Sequence, residues 1–528
     1  MRSPLFRRKL PALIGLIFCL CCLCVLLLIG YLVDEGNQPP EGYAELQAVR
    51  QLHLKGSYES EDFSDFVFTA RDNPSLSFDI KGYFVDDTIY FFFPQQVDRT
   101  ALRLHWDSDT INALFLDGVS VTSHTELDCT EDLQLTDETG QSYSLVMRVT
   151  QLPVLALQTY EGQLVYPLGG YVPASGQLWD VEGDLFFSQV VQLRVRGNYT
   201  STLPKLPYKM KTENKFSLFS LEKSSQWTLL ANFLDPSMLR NDLAYRLAEA
   251  LGMSYVPEQE FLELYLNGEY AGVYALTTQV GLHSGNIALD KITEAENGSY
   301  LLELDARSEG LPDTFVSLFD IPIVLKDPDS VTEEQRQQIQ QELTRFETAL
   351  LADDFTIDGQ HYSELIDLDS FVDVYLVNEI LRNGDACMPL SLFVYRDEEG
   401  RLAMGPVWDF DLSTGYSTIE GGENPQGVSL SDSHWFGRML EDPVFRAAAL
   451  EEYQKLDGFL EDYLSYLDDY RKTMSAAANN NFIITYIGVN EYSNLPTDDP
   501  FLLEVDTLEQ WLIARFDWLD ENQLSLWG

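Results

Sequence analysis

The feature that most narrows the folds open to this chain is a change of hydrophobic period along it. From about residue 45 to residue 183, runs rich in Val, Ile, Phe, Tyr and Thr are broken by glycine, aspartate and proline; "LSFDIKGYFVDDTIYFFFP" and "YSLVMRVTQLPVLALQTY" are typical. Such text reads as short strands between turns, and no helical period lasts long enough to cover a sheet. Beyond residue 184 both periods occur. Asp235-Pro236-Ser237 is a helix entry signal ahead of apolar positions at helical spacing, and Asn267-Gly268 and Glu399-Gly400 are hairpin turns. Residues 331–352 and 369–382 read as amphipathic helices, and further helices follow residue 435. The expected fold class is α+β, with a β-rich, sandwich-like region over 45–183 and one mixed unit over 184–528.

Ahead of this lies an apolar run from Leu10 to Val33, preceded by Arg2, Arg7, Arg8 and Lys9 and stopped by Asp34 and Glu35. A run of that length is enough for a transmembrane helix, and the basic flank stays on the cytoplasmic side. The pattern predicts an uncleaved signal anchor over 1–33 and a linker over 34–44. It makes the protein single-pass, with the membrane as a partner and the bulk of the chain extracytoplasmic.

Acidic residues number 84 against 34 basic, a formal charge of -50. That field repels nucleic acid and attracts cations or basic polypeptides. Of six cysteines, Cys19, Cys21, Cys22 and Cys24 sit in the apolar run, leaving Cys129 and Cys387 far apart in sequence. They read as two buried thiols or one long-range disulfide, not as a disulfide framework or a thiolate metal cluster. The six histidines show no pair at zinc-ligand spacing.

Chemistry concentrates in "GPVWDFDLSTG", residues 405–415. Asp409 and Asp411, two positions apart at a strand-to-turn transition, can converge on one ion, and Mg²⁺ suits carboxylates that leave room for water or phosphate. Asn383-Gly384-Asp385 closes the preceding helix, and the hairpin returns the chain to Asp409. The segment reads either as a pocket that orients a hydroxyl or as an Asn-Gly cap in which Asp385 makes a turn hydrogen bond. Upstream, "RVRGNYTST" supplies Arg194 and Arg196, and "YKMK" puts Lys209 and Lys211 on one face of a strand, where a phosphate can be met. There is no Walker loop, no GxGxxG of a typical kinase and no HRD catalytic loop. From the residues alone, a metal-dependent phosphoryl-transfer site is one open reading of these stretches, beside ordinary turns and caps in a strongly acidic chain.

Taken in order, "RGNYT", "PYKMK", "WTLLANFLDPSMLRNDLAYRLAEALG", "ELYLNGEYAGVYAL", "GSYLLELD", "DLDSFVDVYLVNEILRNGDA" and "GPVWDFDLSTG" resemble the spore-coat protein H (CotH) kinase-like family over about residues 190–525. The resemblance implies a divergent protein-kinase-like domain that uses ATP and Mg²⁺ to phosphorylate protein serines. The implied partner is a basic, serine-rich surface or spore-coat protein. By that resemblance Asp385 is the catalytic-loop carboxylate, Asp409 the metal-binding aspartate and Asp411 a second metal ligand. Lys209 or Lys211 takes the phosphate-pairing role, with Arg196 and Asn232 also on the nucleotide. Asp235, Arg240 and Asn241 line or buttress the pocket, and Glu303 and Asp305 join the site or serve as hairpin polar residues. The chain departs from the family pattern at Thr277-Thr278-Gln279, where a Glu-Lys pair is usual. A non-catalytic pseudokinase scaffold is therefore the alternative function, and a glycan-binding surface protein a third reading.

Overall fold

The computed structural model describes residues 56–167, 169–293, 298–308, 314–416, 421–485 and 499–528. These residues fall into two compact units. The first takes in the chain to Thr212 together with Glu263–Gly272 and Asn480–Glu491, and the second holds the remainder.

In the first unit, strands between Asp65 and Val149 form a three-stranded and a six-stranded sheet. Phe66, Phe68, Phe91, Phe93, Leu135 and Leu145, drawn from both sheets, share one apolar core. Alternation explains the choice: along Ser142–Val149 every second residue is buried through Met147, as a strand with one face on a core requires. The next strands take another course. Val154–Thr159 and Val172–Trp179 are staves of a closed seven-stranded barrel, and Val172–Trp179 pairs antiparallel with Leu185–Val195. Val154–Leu157 runs parallel to Glu263–Leu266. The expectation of a sandwich-like region running to residue 183 is corrected accordingly. A strand's partner is set by non-local hydrogen bonding, so the period of 154–179 shows that it is β but not which sheet it joins. At the tip of the barrel hairpin Gln259–Leu266/Glu269–Thr278, Asn267 (φ 54°) and Gly268 (φ 81°) are both left-handed, the backbone a two-residue hairpin of matching twist needs.

The second unit carries a five-stranded antiparallel sheet ordered Thr314–Val316, Pro322–Asp327, Leu301–Leu304, Leu392–Arg396, Leu402–Met404. Its last two strands are the hairpin turning at Glu399-Gly400. The helices are α1 (Arg240–Leu251), α2 (Glu333–Leu351), α3 (Leu368–Ile380), α4 (Gly384–Cys387), α5 (His434–Met439), α6 (Pro443–Gln454), α7 (Phe459–Ile484) and α8 (Pro500–Leu526). Helix α2 starts at a capping box in which the Thr332 hydroxyl accepts from Gln335 N and the Gln335 side chain accepts from Thr332 N. Helix α3 corrects the expectation of an amphipathic helix over 369–382: it is apolar around most of its circumference and is buried accordingly, from Phe371 to Ile380.

One buried ion pair ties the end of α3 to α8. All five N–H groups of Arg515 are used: Nε donates to Ile380 O, Nη1 to Pro425 O and Gly427 O, and Nη2 to Glu379 O and Glu379 Oε1. The Glu379 carboxylate also accepts from Ser429 N and Leu430 N. Burial nevertheless leaves the carboxyl raised and draws the guanidinium down to about 10, because neither charge is solvated.

The expectation of a single-pass anchor is corrected, and with it the membrane partner, the extracytoplasmic placement and a membrane-anchored function. Among the described residues no helix is long and apolar enough to cross a membrane. Of the longest, α7 gathers Glu461, Asp462, Asp468, Asp469, Arg471 and Lys472 ahead of Thr473, and α8 spreads its charges along its length, as in "LLEVDTLEQWLIARFDWLDE". The run Leu10–Val33, on which the expectation rested, lies outside the described residues. Cys129 and Cys387 are free thiols.

Replacing Arg515 by Met strands the Glu379 carboxylate in the interior and should lower stability by about 3–5 kcal/mol. Adding Glu379→Leu to that variant should recover part of the loss. Urea denaturation of the two single variants and the double variant checks this, and strictly additive losses would show that the two groups do not act as a pair.

Candidate active site

Five segments of the second unit build the acidic site. The first is the turn ahead of α1. Asp235 is buried and takes Ser237 N, Ser237 Oγ and Arg240 N as donors, so its carboxylate caps the helix entrance. It also pairs with the wholly buried Arg240 guanidinium. From there Arg240 reaches the segment after the acidic pair: Nε donates to Ser413 O at 3.1 Å, Nη2 to Thr414 O at 3.4 Å, and the guanidinium lies 3.9 Å from the Tyr416 ring centre. The neighbouring Asn241 accepts from Phe410 N through Oδ1 at 2.9 Å. Arg240 and Asn241 thus fix the backbone on either side of Asp411, which is a buttressing role.

The second and third segments are the end of α3 and the loop after it. Arg382 leaves the helix left-handed (φ 52°). Asn383 then caps α4, accepting from Asp385 N through Oδ1 and donating through Nδ2 to Asn378 Oδ1. The cap lies on the other side of the turn from the one the sequence suggests: Asn383 caps the start of the following helix and not the end of α3, and it is the Asp385 backbone N–H, not its side chain, that bonds there. The Asp385 carbonyl accepts from Met388 N and Leu390 N, which curls the chain back to Ser391 (φ 56°).

The fourth segment is the acidic pair. Asp409 has φ 71°, a left-handed conformation that costs an L-residue about 1–2 kcal/mol. Two hydrogen bonds join this segment to the α3 end: Ser391 Oγ donates to Asp409 Oδ2 at 3.0 Å, and Thr414 N donates to Leu381 O at 2.8 Å. Asn232, Arg382, Ser391, Asp409 and Thr414 are all left-handed non-glycine residues. Strained backbone of this kind persists where the surroundings over-determine it and clusters at functional sites.

The fifth segment is the turn after Leu301–Leu304. Arg307 donates from Nε to Asp305 Oδ1 at 2.8 Å, and Ala306 N donates to Pro389 O. Asp305 therefore belongs to the site's edge, whereas Glu303 pairs with Lys326. Burial, then the charge of Asp409, pushes the Asp385 carboxyl up to about 7, against the pull of Arg307. Burial, then Asp409, Asp385 and Asp235, raises the Asp411 carboxyl well above the ordinary range.

The structure brings Asp385, Asp409 and Asp411 together in one unit. Asn232, in the same unit, forms a left-handed turn whose carbonyl accepts from Asp235 N. Arg196, Lys209 and Lys211 lie in the first unit. There Lys209 faces Arg194 across a strand pair, and Arg194 and Lys211 both lie within 5 Å of the Tyr171 ring centre, at 4.8 and 4.7 Å. Arg196 N donates to Pro207 O. Thr277 and Thr278 are buried, and the Thr277 hydroxyl is spent on Glu258 O. Sequence reasoning missed Ser391 and Arg307. Arg307 carried a signal, as a basic residue amid acids, but Ser391 carried none.

A family model described as CotH kinase protein matches residues 193–519. The chain belongs to this family. No curated protein matches the chain. The family's kinase character raises the question whether these residues suit a divalent cation. The donor set is of the right kind: hard carboxylate oxygens, crowded until burial and mutual repulsion raise Asp385 and Asp411. Among the described residues no three His, Cys, Asp or Glu side chains form a ready-made metal cage. Mg²⁺ asks for only one or two carboxylates and takes water and phosphate for the rest, so Asp409 and Asp411 of this CotH-family chain fit it.

The left-handed backbone at Asp409 makes its own prediction. Asp409→Gly should be more stable than Asp409→Ala by about 1 kcal/mol, although glycine is ordinarily the worse residue. Chemical denaturation of the two variants decides it, and equal stability would mean that the backbone there is unstrained.

Proposed function

We propose that this CotH-family protein is an atypical protein kinase that transfers the terminal phosphoryl group of ATP, with Mg²⁺, to serine or threonine hydroxyls of a basic protein. The observation that carries the reading is the Ser391–Asp409 hydrogen bond, which joins the loop bearing Asp385 to the segment bearing Asp409 and Asp411. Phosphoryl transfer asks mainly for positioning and for charge aimed at the moving group. Asp385 orients the acceptor hydroxyl and takes its proton. Asp409 and Asp411 hold Mg²⁺, which when bound neutralises charge on the phosphates. Ser391 fixes the rotamer of Asp409, and Asn232 contacts the nucleotide. Arg307 at the rim balances part of the acidic charge. Arg196, Lys209 and Lys211 stand as candidates for phosphate contact on the family resemblance of "RGNYT" and "PYKMK". A formal charge of -50 favours a basic acceptor protein by long-range attraction.

The test is labelled-phosphate transfer from ATP to a lysine- and serine-rich protein by the full chain. A fragment beginning at residue 184 would lose two barrel staves. Asp385→Asn and Asp409→Asn should each lower the transfer rate by about 10²-fold or more while the fold is retained, and chelation of Mg²⁺ should abolish it. Single alanine variants of Lys209 and Lys211 should show which one matters to ATP affinity. If the folded wild type neither binds ATP nor transfers phosphate, the kinase reading fails and the non-catalytic scaffold stands in its place.

A further inference from the structure

A second acidic feature of the second unit lies away from the proposed phosphoryl-transfer residues. The start of α3, the loop after α1 and the last hairpin enclose a cavity of about 190 Å³, lined among others by Met253, Tyr255, Asp367, Asp369, Asp373 and Tyr395. Two of its acids have an ordinary explanation: Asp367 and Asp369 stand at the first turn of α3, where the helix dipole favours negative charge. Asp373 does not, since it lies beyond that first turn, where the dipole no longer helps.

Asp373 is only 6 % exposed, and its Oδ1 has no hydrogen-bond partner among the described residues. A buried carboxylate in that state is costly, by far more than an exposed one. The charges that face it are mostly of its own sign: Asp367 and Asp369 on its own helix and Glu452 on α6, against Lys455. Lys455 is already paired with Glu452, and Arg401 with Asp397 and Glu399. Ser370, also in the lining, spends its hydroxyl on Asp367 O and Met404 N. The cavity is thus lined by a buried carboxyl whose like-charged neighbours outweigh Lys455, the cation that faces it and that is shared with Glu452.

The rest of the lining suits a cation on an apolar stem. Tyr255 and Tyr395 meet edge to face, ring centres 5.6 Å apart, and Met253 and Met404 supply adaptable thioether surface. A bare metal ion is the poorer occupant, because a hard cation gains nothing from the aromatic and thioether surface that an apolar stem can cover.

We propose that this cavity binds an alkylguanidinium or alkylammonium cation, with Asp373 as its counter-charge. Such a cation is the chemistry of an arginine or lysine side chain on a partner protein and equally of a free diamine. Burial, then Glu452 and Asp369, pushes the empty Asp373 carboxyl up to about 8. Entry of a cation therefore releases a proton at neutral pH, so affinity should rise from about pH 6 to about pH 8.

Calorimetric titration of the full chain tests this with three probes: N-acetyl-arginine amide, agmatine and the neutral isostere N-acetyl-citrulline amide. The charged probes should bind and the citrulline probe should not. Asp373→Asn should weaken binding by at least about tenfold. Asp354→Asn, a surface control, should leave it unchanged. Tighter binding of the arginine amide than of agmatine would mark a polypeptide as the source, and the reverse order a free amine. Equal binding of citrulline and arginine, or the same loss in Asp354→Asn as in Asp373→Asn, would overturn the proposal. So would a folded Asp373→Asn with unchanged affinity. Should that variant fail to fold, Asp369→Asn serves in its place, and undiminished binding there would overturn it equally.

Discussion

The acidic site depends on one guanidinium, that of Arg240, held wholly out of water. Asp235 neutralises it, and its remaining N–H groups reach the Ser413 and Thr414 carbonyls. A buried pair gains little net stability, because removing two charges from water costs about as much as their attraction returns. What it fixes is geometry: the guanidinium fork is planar and its donors point in set directions. The backbone that follows Asp411 can satisfy those donors in only one arrangement, and Asn241 secures the other side through Phe410 N. Asp411 lies between these two anchors, and the left-handed Asp409 directly precedes the first of them.

Arg515 plays the same part for the opposite wall. Its five donors bind the end of α3 to the segment 425–427 and to Glu379, and the exit from α3 then leads through Asn383 to Asp385. Each acid is therefore placed by an arginine that never touches it. In a chain so poor in basic residues, two of its arginines are committed to the interior, while the acids they position repel one another. The unit as a whole accepts crowded carboxylates at Asp385 and Asp411, and an orphaned one at Asp373, at a cost in stability. Such a cost is characteristic of sites kept for a ligand and not for the fold.

By itself the sequence determined what is local. The strand text before residue 183, the Asn267-Gly268 and Glu399-Gly400 turns and the helices at 331–352 and 369–382 are set by period and turn chemistry, which depend on neighbours in the chain. The ordered motifs determined the family, and "NGDA" and "WDFD" contained the acids that the structure brings together. Only the tertiary structure decided the rest. Val154–Leu157 pairs with Glu263–Leu266, not with a nearby strand, and this makes a barrel of what reads locally as the end of a sandwich. Ser391 joins the loop bearing Asp385 to Asp409, and Asp373 Oδ1 is left without a hydrogen-bond partner among the described residues, through packing of segments distant in sequence. Apolar run length and charge pattern are properties of a stretch of chain. Who faces whom across a core is not, because hydrogen bonding and desolvation are settled only when remote segments meet.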